Sequence, residues 1–157
     1  MKKGLLLSLL ALALSAQAQP EEDKVYLLAA VNVTDTSVAQ SIFLHEPDIT
    51  DLSGCREAVQ QGKRNRDWMS YHHIQRKDRA QGFTFQFQYH CVTSAQTIEP
   101  WYDRARYDHV YLLRVDEESK LTVKAMSSMA NCYAAHRALS GEEQALSHCA
   151  KSNQQVR

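Results

Sequence analysis

Beyond residue 14, this chain of 157 residues has no long apolar segment. A helix that crosses a bilayer needs about 20 mostly apolar residues. The longest such run, residues 5–14, has roughly half that number. The first cysteine is Cys55, so no cysteine follows an N-terminal leader closely enough to carry a lipid anchor. We therefore expect a soluble mature protein without a membrane span.

Glycine is also scarce, with five in the whole chain. The sequence contains no glycine-rich phosphate loop, no nucleophile elbow and no zinc-protease helix motif. A cysteine nucleophile needs a free thiolate, whereas the four cysteines here form an even set that favours disulfides. These absences favour a protein that is not an enzyme and has no cofactor. Serine or carboxylate catalysis assembled from distant residues stays open.

An excess of positive charge is missing too, because 18 basic residues balance 18 acidic ones. Proteins that bind nucleic acid usually carry a marked basic excess that neutralises phosphates. The composition therefore gives no support to a nucleic-acid partner.

The N-terminus has the three parts of an export signal. Lys2 and Lys3 precede the apolar run, and the small residues of 15–18 provide a cleavage site. Removal of residues 1–18 leaves 139 of the 157 residues and, without those two lysines, a net charge near −2. We expect residues 19–157 to form a single α+β domain. The predicted destination is the bacterial periplasm, with full secretion as the alternative.

The four cysteines of the mature part predict two disulfides in an oxidising compartment. Residues around Cys132 and Cys149 read as two helices joined at Ser140-Gly141. Each cysteine lies eight or nine residues from that turn, so an antiparallel helix pair would place the two cysteines side by side. This geometry pairs Cys132 with Cys149 and leaves Cys55 to pair with Cys91.

Hydrophobic periodicity predicts an α+β fold with an antiparallel sheet of about five strands, helices on one face and a C-terminal helical hairpin. A strand over residues 25–31 is apolar on both faces, so it is either covered on both sides or lies at a homodimer contact. The other predicted elements are helices over 37–44 and 51–61, a hairpin of 68–76 with 83–92, and a hairpin of 109–115 with 120–125.

A short internal repeat accompanies these elements. Val25-Tyr26-Leu27-Leu28 recurs as Val110-Tyr111-Leu112-Leu113. A duplicated half-domain would explain the match. Apolar central strands also converge on such residues, and we favour convergence because the flanking sequences agree poorly.

Histidines offer a possible metal site. His72, His73 and His90 lie on the predicted hairpin of 68–76 and 83–92, where opposite side chains on one face can share an ion. The register that gives the better apolar core places Ile74 opposite Phe85 and separates the histidines by too large a distance. A second set, Cys132 and His136 with His148 and Cys149, competes with the disulfide. Metal binding is therefore the alternative hypothesis.

Residues 56–79 are locally basic, with seven basic and three acidic residues giving +4. Aromatic side chains are interleaved, which suits an acidic protein surface or an anionic envelope polymer. Solvated loops are the competing interpretation. The predicted partner-binding residues, called the basic aromatic patch below, are Arg64, Arg66, Trp68, Tyr71, Arg76 and Arg79. The favoured hypothesis is a non-catalytic interaction module, such as an inhibitor, an immunity-type protein or an assembly accessory, that binds another envelope component.

Overall fold

A computed structural model describes residues 23–33, 39–65, 85–102 and 106–157. In these ranges, six strands and three helices follow one another along the chain. They are β1 (Lys24–Val33), β2 (Ala39–Leu44), α1 (Leu52–Asn65), β3 (Phe85–Ser94), β4 (His109–Val115), β5 (Leu121–Met126), α2 (Met129–Arg137), α3 (Gly141–Ala145) and β6 (Ser147–Ser152).

All six strands belong to one curled sheet with the order β3-β1-β2-β6-β4-β5. Neighbours pair antiparallel except at the centre, where β2 and β6 are parallel with Gln40 opposite Lys151. The two edges approach each other at a parallel bridge between Thr93 and Lys120. The prediction of an α+β fold is confirmed, with six strands in a mixed sheet rather than about five in an antiparallel one.

The inner face of the curled sheet forms the main core. Each of the six strands contributes to it, so the interior is filled by side chains that meet across the curl. The buried members are Tyr26, Leu28, Phe43, Val92, Tyr111, Leu113, Leu121, Val123 and Ala150.

The outer face carries the longer helices. Side chains alternate between the two faces along a strand, so Leu27 and Cys91 of one strand pair, and Leu112 and Cys149 of another, point away from the main core. Helix α1 contacts β1 and β3, and α2 contacts β4, β5 and β6. Each of these two helices covers its own part of the outer face.

Local sequence explains where the helices begin. Asp51 accepts a hydrogen bond from the Gly54 backbone N–H at 2.7 Å, and Ser128 accepts one from Asn131 at 3.1 Å. Ser140 and Glu143 form a reciprocal capping box at the start of α3. Such caps satisfy backbone donors that have no partner within the helix.

The fold consists of two similar halves. The order β1-β2-α1-β3 is repeated as β4-β5-α2-β6, with the short α3 inserted after α2. In each half the first strand lies between the other two, and the pairing of β2 with β6 and the bridge between Thr93 and Lys120, which join the two halves, are both parallel. The matching residues of β1 and β4 also have matching partners, because Leu28 faces Phe43 and Leu113 faces Val123. The structure therefore favours duplication over convergence as the origin of the short repeat.

One predicted helix is a strand, and a second predicted helix ends earlier than expected. Residues 39–44, expected within a helix over 37–44, form β2 because they pair with β1 along their whole length. Cys149 was expected on a second helix of a C-terminal hairpin. That helix ends at Ala145, and Cys149 lies on β6 opposite Leu112. The partner strand expected over 68–76 and the signal peptide of 1–18 lie outside the described residues.

Candidate functional site

Both predicted disulfides are present. Cys55 pairs with Cys91 and Cys132 pairs with Cys149, each with a Cα–Cα distance of 5.9 Å. The first bond fixes α1 to β3, and the second fixes α2 to β6. The two bonds occupy equivalent places in the two halves. All four cysteines are paired, which leaves no thiol for nucleophilic chemistry and no cysteine for zinc.

The structure describes little of the basic aromatic patch. Arg64 belongs to the last turn of α1, where only the backbone is described. The other predicted members lie outside the described residues: Arg66, Trp68, Tyr71, Arg76 and Arg79. The patch therefore stays a prediction, and the described part of the chain fixes only its starting point, at the C-terminal end of α1.

The histidines divide between two different settings. His90, on β3, has an exposed side chain. His148, on β6, is largely buried, and burial lowers the pKa of its imidazole to about 4, with smaller contributions from His90 and His136. The Nε2 atom of His136 lies 3.1 Å from the carbonyl oxygen of Gln144 and 3.0 Å from that of Ser147. These contacts link α2 to the start of β6.

The metal hypothesis is not supported within the described ranges. Among those residues there is no group of three or more histidine, cysteine or acidic side chains that could hold a metal ion. His72 and His73 lie outside the described ranges, so their part of the hypothesis stays a prediction.

Among the described residues, no helix is both long and apolar enough to cross a membrane.

A cavity of about 240 Å³ lies between α1 and the outer face of the sheet. We call it the α1 groove. Its rim has the polar residues Glu46 and Gln61, and the Cys55 disulfide forms part of its wall. The remaining lining residues are apolar or lack a side chain, namely Val25, Leu27, Leu44, Ile49, Ala58, Val59 and Gly62. Sequence periodicity predicts helix α1 but not this opening, because a cavity depends on which side chains meet across the helix and the sheet.

A second cavity, of about 300 Å³, lies nearby and is more polar. It borders Lys24 and His45 on one side and the loop with Pro100 and Trp101 on the other. Trp101 packs against the outer-face pair Ala29 and Ile42. The adjoining Tyr102 is 59% exposed. Of the two neighbouring aromatic residues, Trp101 therefore packs against the sheet and Tyr102 lies at the surface.

The fold and the disulfides define an α+β protein with two similar, disulfide-braced halves. No protein-family model, curated protein or solved structure matches the chain.

Proposed function

We propose that this protein is exported to the periplasm and works there as a non-catalytic interaction module. The observation that supports export is the pairing of all four cysteines in two disulfides at equivalent places. Disulfides persist in oxidising compartments and are rare in the cytosol. The export signal expected in residues 1–18 agrees with this assignment.

The proposed binding surface is the basic aromatic patch. Residues 56–79 carry a net charge of +4 in a mature chain whose overall charge is near −2, so the positive charge is concentrated in one segment. A local basic field speeds association with an acidic partner, and tryptophan, tyrosine and arginine contribute much of the binding energy at protein interfaces. The partner is an acidic envelope protein or an anionic envelope polymer.

The test is capture of partners from a periplasmic extract by the purified protein and by a triple variant, Arg64→Ala, Arg66→Ala and Trp68→Ala. We expect the triple variant to lose the partner that the wild-type protein captures, because both the charge and the aromatic anchor are removed. Thermal unfolding of the same samples should show that the fold is intact.

A matched control places the same kinds of change elsewhere on the surface. Arg106, Arg114 and Tyr102 are exposed in the structure, and alanine at all three removes two arginines and an aromatic ring. This control should still capture the partner. Equal capture by the patch variant and the wild-type protein would rule out the basic aromatic patch as the binding surface.

A further inference from the structure

The two halves of the molecule cover their outer faces differently, although their strands and disulfides correspond. Val25 and Leu27 in the first half match Val110 and Leu112 in the second. Cys55 matches Cys132 because each is the helical partner of its disulfide. The α1 groove therefore corresponds in position to the space between α2 and the outer face of the sheet.

Beneath α2 that position is filled. Leu112, Cys132 and Cys149 are buried there, and Met126 and Leu139 pack against them. The matching residues of the first half, Leu27 and Cys91, are only half-buried. Within the described ranges, the outer face is therefore covered less completely in the first half than in the second. The α1 groove lies where this cover is incomplete.

An apolar groove open to solvent is costly to stability, since its lining forgoes burial and contacts that a close-packed interior would provide. The same scaffold fills the corresponding space in the second half with ordinary residues. The α1 groove, with its apolar wall and polar rim, has the features of a small-molecule binding site.

We propose that the α1 groove binds a compact, uncharged apolar ligand, such as an unbranched alkyl chain. A dry cavity of about 150 Å³ holds one benzene molecule, so 240 Å³ accommodates a group of about ten carbon atoms by proportion. The wall offers aliphatic contacts from Val25, Leu27 and Val59, while a polar end of the ligand would lie at the rim beside Gln61. The residues that line this groove are not those of the basic aromatic patch, and the proposal does not depend on the proposed function.

The experiment uses the full mature protein with both disulfides formed. The probe is 1-aminoanthracene, an uncharged dye whose fluorescence rises in an apolar environment, and 1-decanol is the competitor. We expect saturable binding of one dye per protein and complete displacement by the alcohol. The variant Gly62→Leu, which adds a large side chain to the lining of the groove, should weaken dye binding at least tenfold. Ala58→Leu fills the same groove from another turn of α1 and serves as a second test if the first variant does not fold.

The matched control is Gln60→Leu, which adds the same side chain to an exposed position of α1. It should bind the dye like the wild-type protein. The melting temperatures of the two filling variants should equal or exceed that of the wild type, because added apolar side chains restore lost contacts. Absence of saturable binding by the wild-type protein would overturn the proposal. So would equal binding by the filling variants and the control, since the dye would then lie elsewhere.

Discussion

At the residue scale, two glutamine side chains take the place of peptide groups in the sheet. The Gln154 amide accepts a hydrogen bond from the Phe43 backbone N–H at 2.8 Å and donates one to the Phe43 carbonyl oxygen at 2.8 Å. Gln96 makes the same two contacts with the backbone of Val123, at 2.7 and 2.9 Å. Each glutamine therefore continues a parallel strand contact between the two halves beyond the point where the strand itself ends.

Replacement of Gln154 by alanine should lower the free energy of unfolding by about 3 kcal/mol or more. The side chain is 1% exposed, so its loss leaves the Phe43 N–H and carbonyl without partners in the core. Each buried unpaired group costs about 1–3 kcal/mol. Urea denaturation measures the change. Gln61→Ala removes the same amide from an exposed contact with Glu57 and should cost less than about 0.5 kcal/mol. Equal losses in the two variants would contradict the peptide-like role of Gln154.

His148 should make the protein lose stability as the pH falls below 6.5. In the folded state, burial lowers its pKa to about 4, whereas the unfolded chain binds a proton near pH 6.5. Between these values the unfolded state holds more protons, so acid favours unfolding. The resulting contribution to the free energy of unfolding is about 3 kcal/mol; it is fully present above pH 6.5 and is lost by pH 4. We expect His148→Gln to remove this part of the pH dependence in denaturant titrations. Coincident pH curves for the two proteins would show that His148 does not contribute.

At the element scale, strongly periodic strands could be predicted from the sequence, and strands formed by tertiary pairing could not. Strand β5 alternates between buried and exposed residues, and a polar turn joins it to β4, both of which are local signals. Strand β2 is short, and its interior residues Ser41, Ile42 and Phe43 are buried, so it shows no alternation of polar and apolar residues. Its strand conformation depends on β1 and β6, which lie on either side of it. Periodicity alone cannot separate a short buried strand from a helical turn.

Both disulfide pairings were predicted correctly, although Cys149 lies on a strand and not on the helix that the argument used. A clearer signal was available in the sequence. The pattern His-Cys-x-x-Ser-x-Gln occurs twice, beginning at His90 and at His148. In both copies the serine hydroxyl accepts a hydrogen bond from the glutamine backbone N–H at 3.2 Å. The pattern marks the end of the last strand in each half and indicates the duplication, whereas the shorter repeat alone favoured convergence.

The candidate site was less accessible to sequence reasoning than the fold. The basic aromatic patch follows from charge and composition alone, and its members other than Arg64 lie outside the described residues. The α1 groove depends on which side chains meet between α1 and the sheet, and its lining spans the chain from Val25 to Gly62. The burial of matching residues can be compared only after the two halves are aligned by their strand register and their disulfides.

At the scale of the whole molecule, the two halves join through the segments that follow their last strands. Ile98 and Val156 form an antiparallel bridge, and each packs against the inner core. Thr97 and Arg157 exchange two backbone hydrogen bonds of 2.9 and 3.1 Å on one side of the bridge. These segments correspond to each other in the two halves, because each lies two residues beyond the glutamine of the repeated pattern. The core is therefore shared by the halves, and neither half completes it alone.

This shared core predicts that Ile98 and Val156 are energetically coupled. Each single change to alanine should destabilise the protein by about 1–2 kcal/mol, since both side chains are partly buried. The double variant should lose at least about 0.5 kcal/mol less than the sum of the two, because either change already weakens their common contact. A double-mutant cycle by urea denaturation measures this coupling. The control cycle pairs Ile98 with Leu139, which packs in the outer-face cluster under α2, and these changes should add. Additive losses for Ile98 and Val156 would mean that the two halves are stabilised independently.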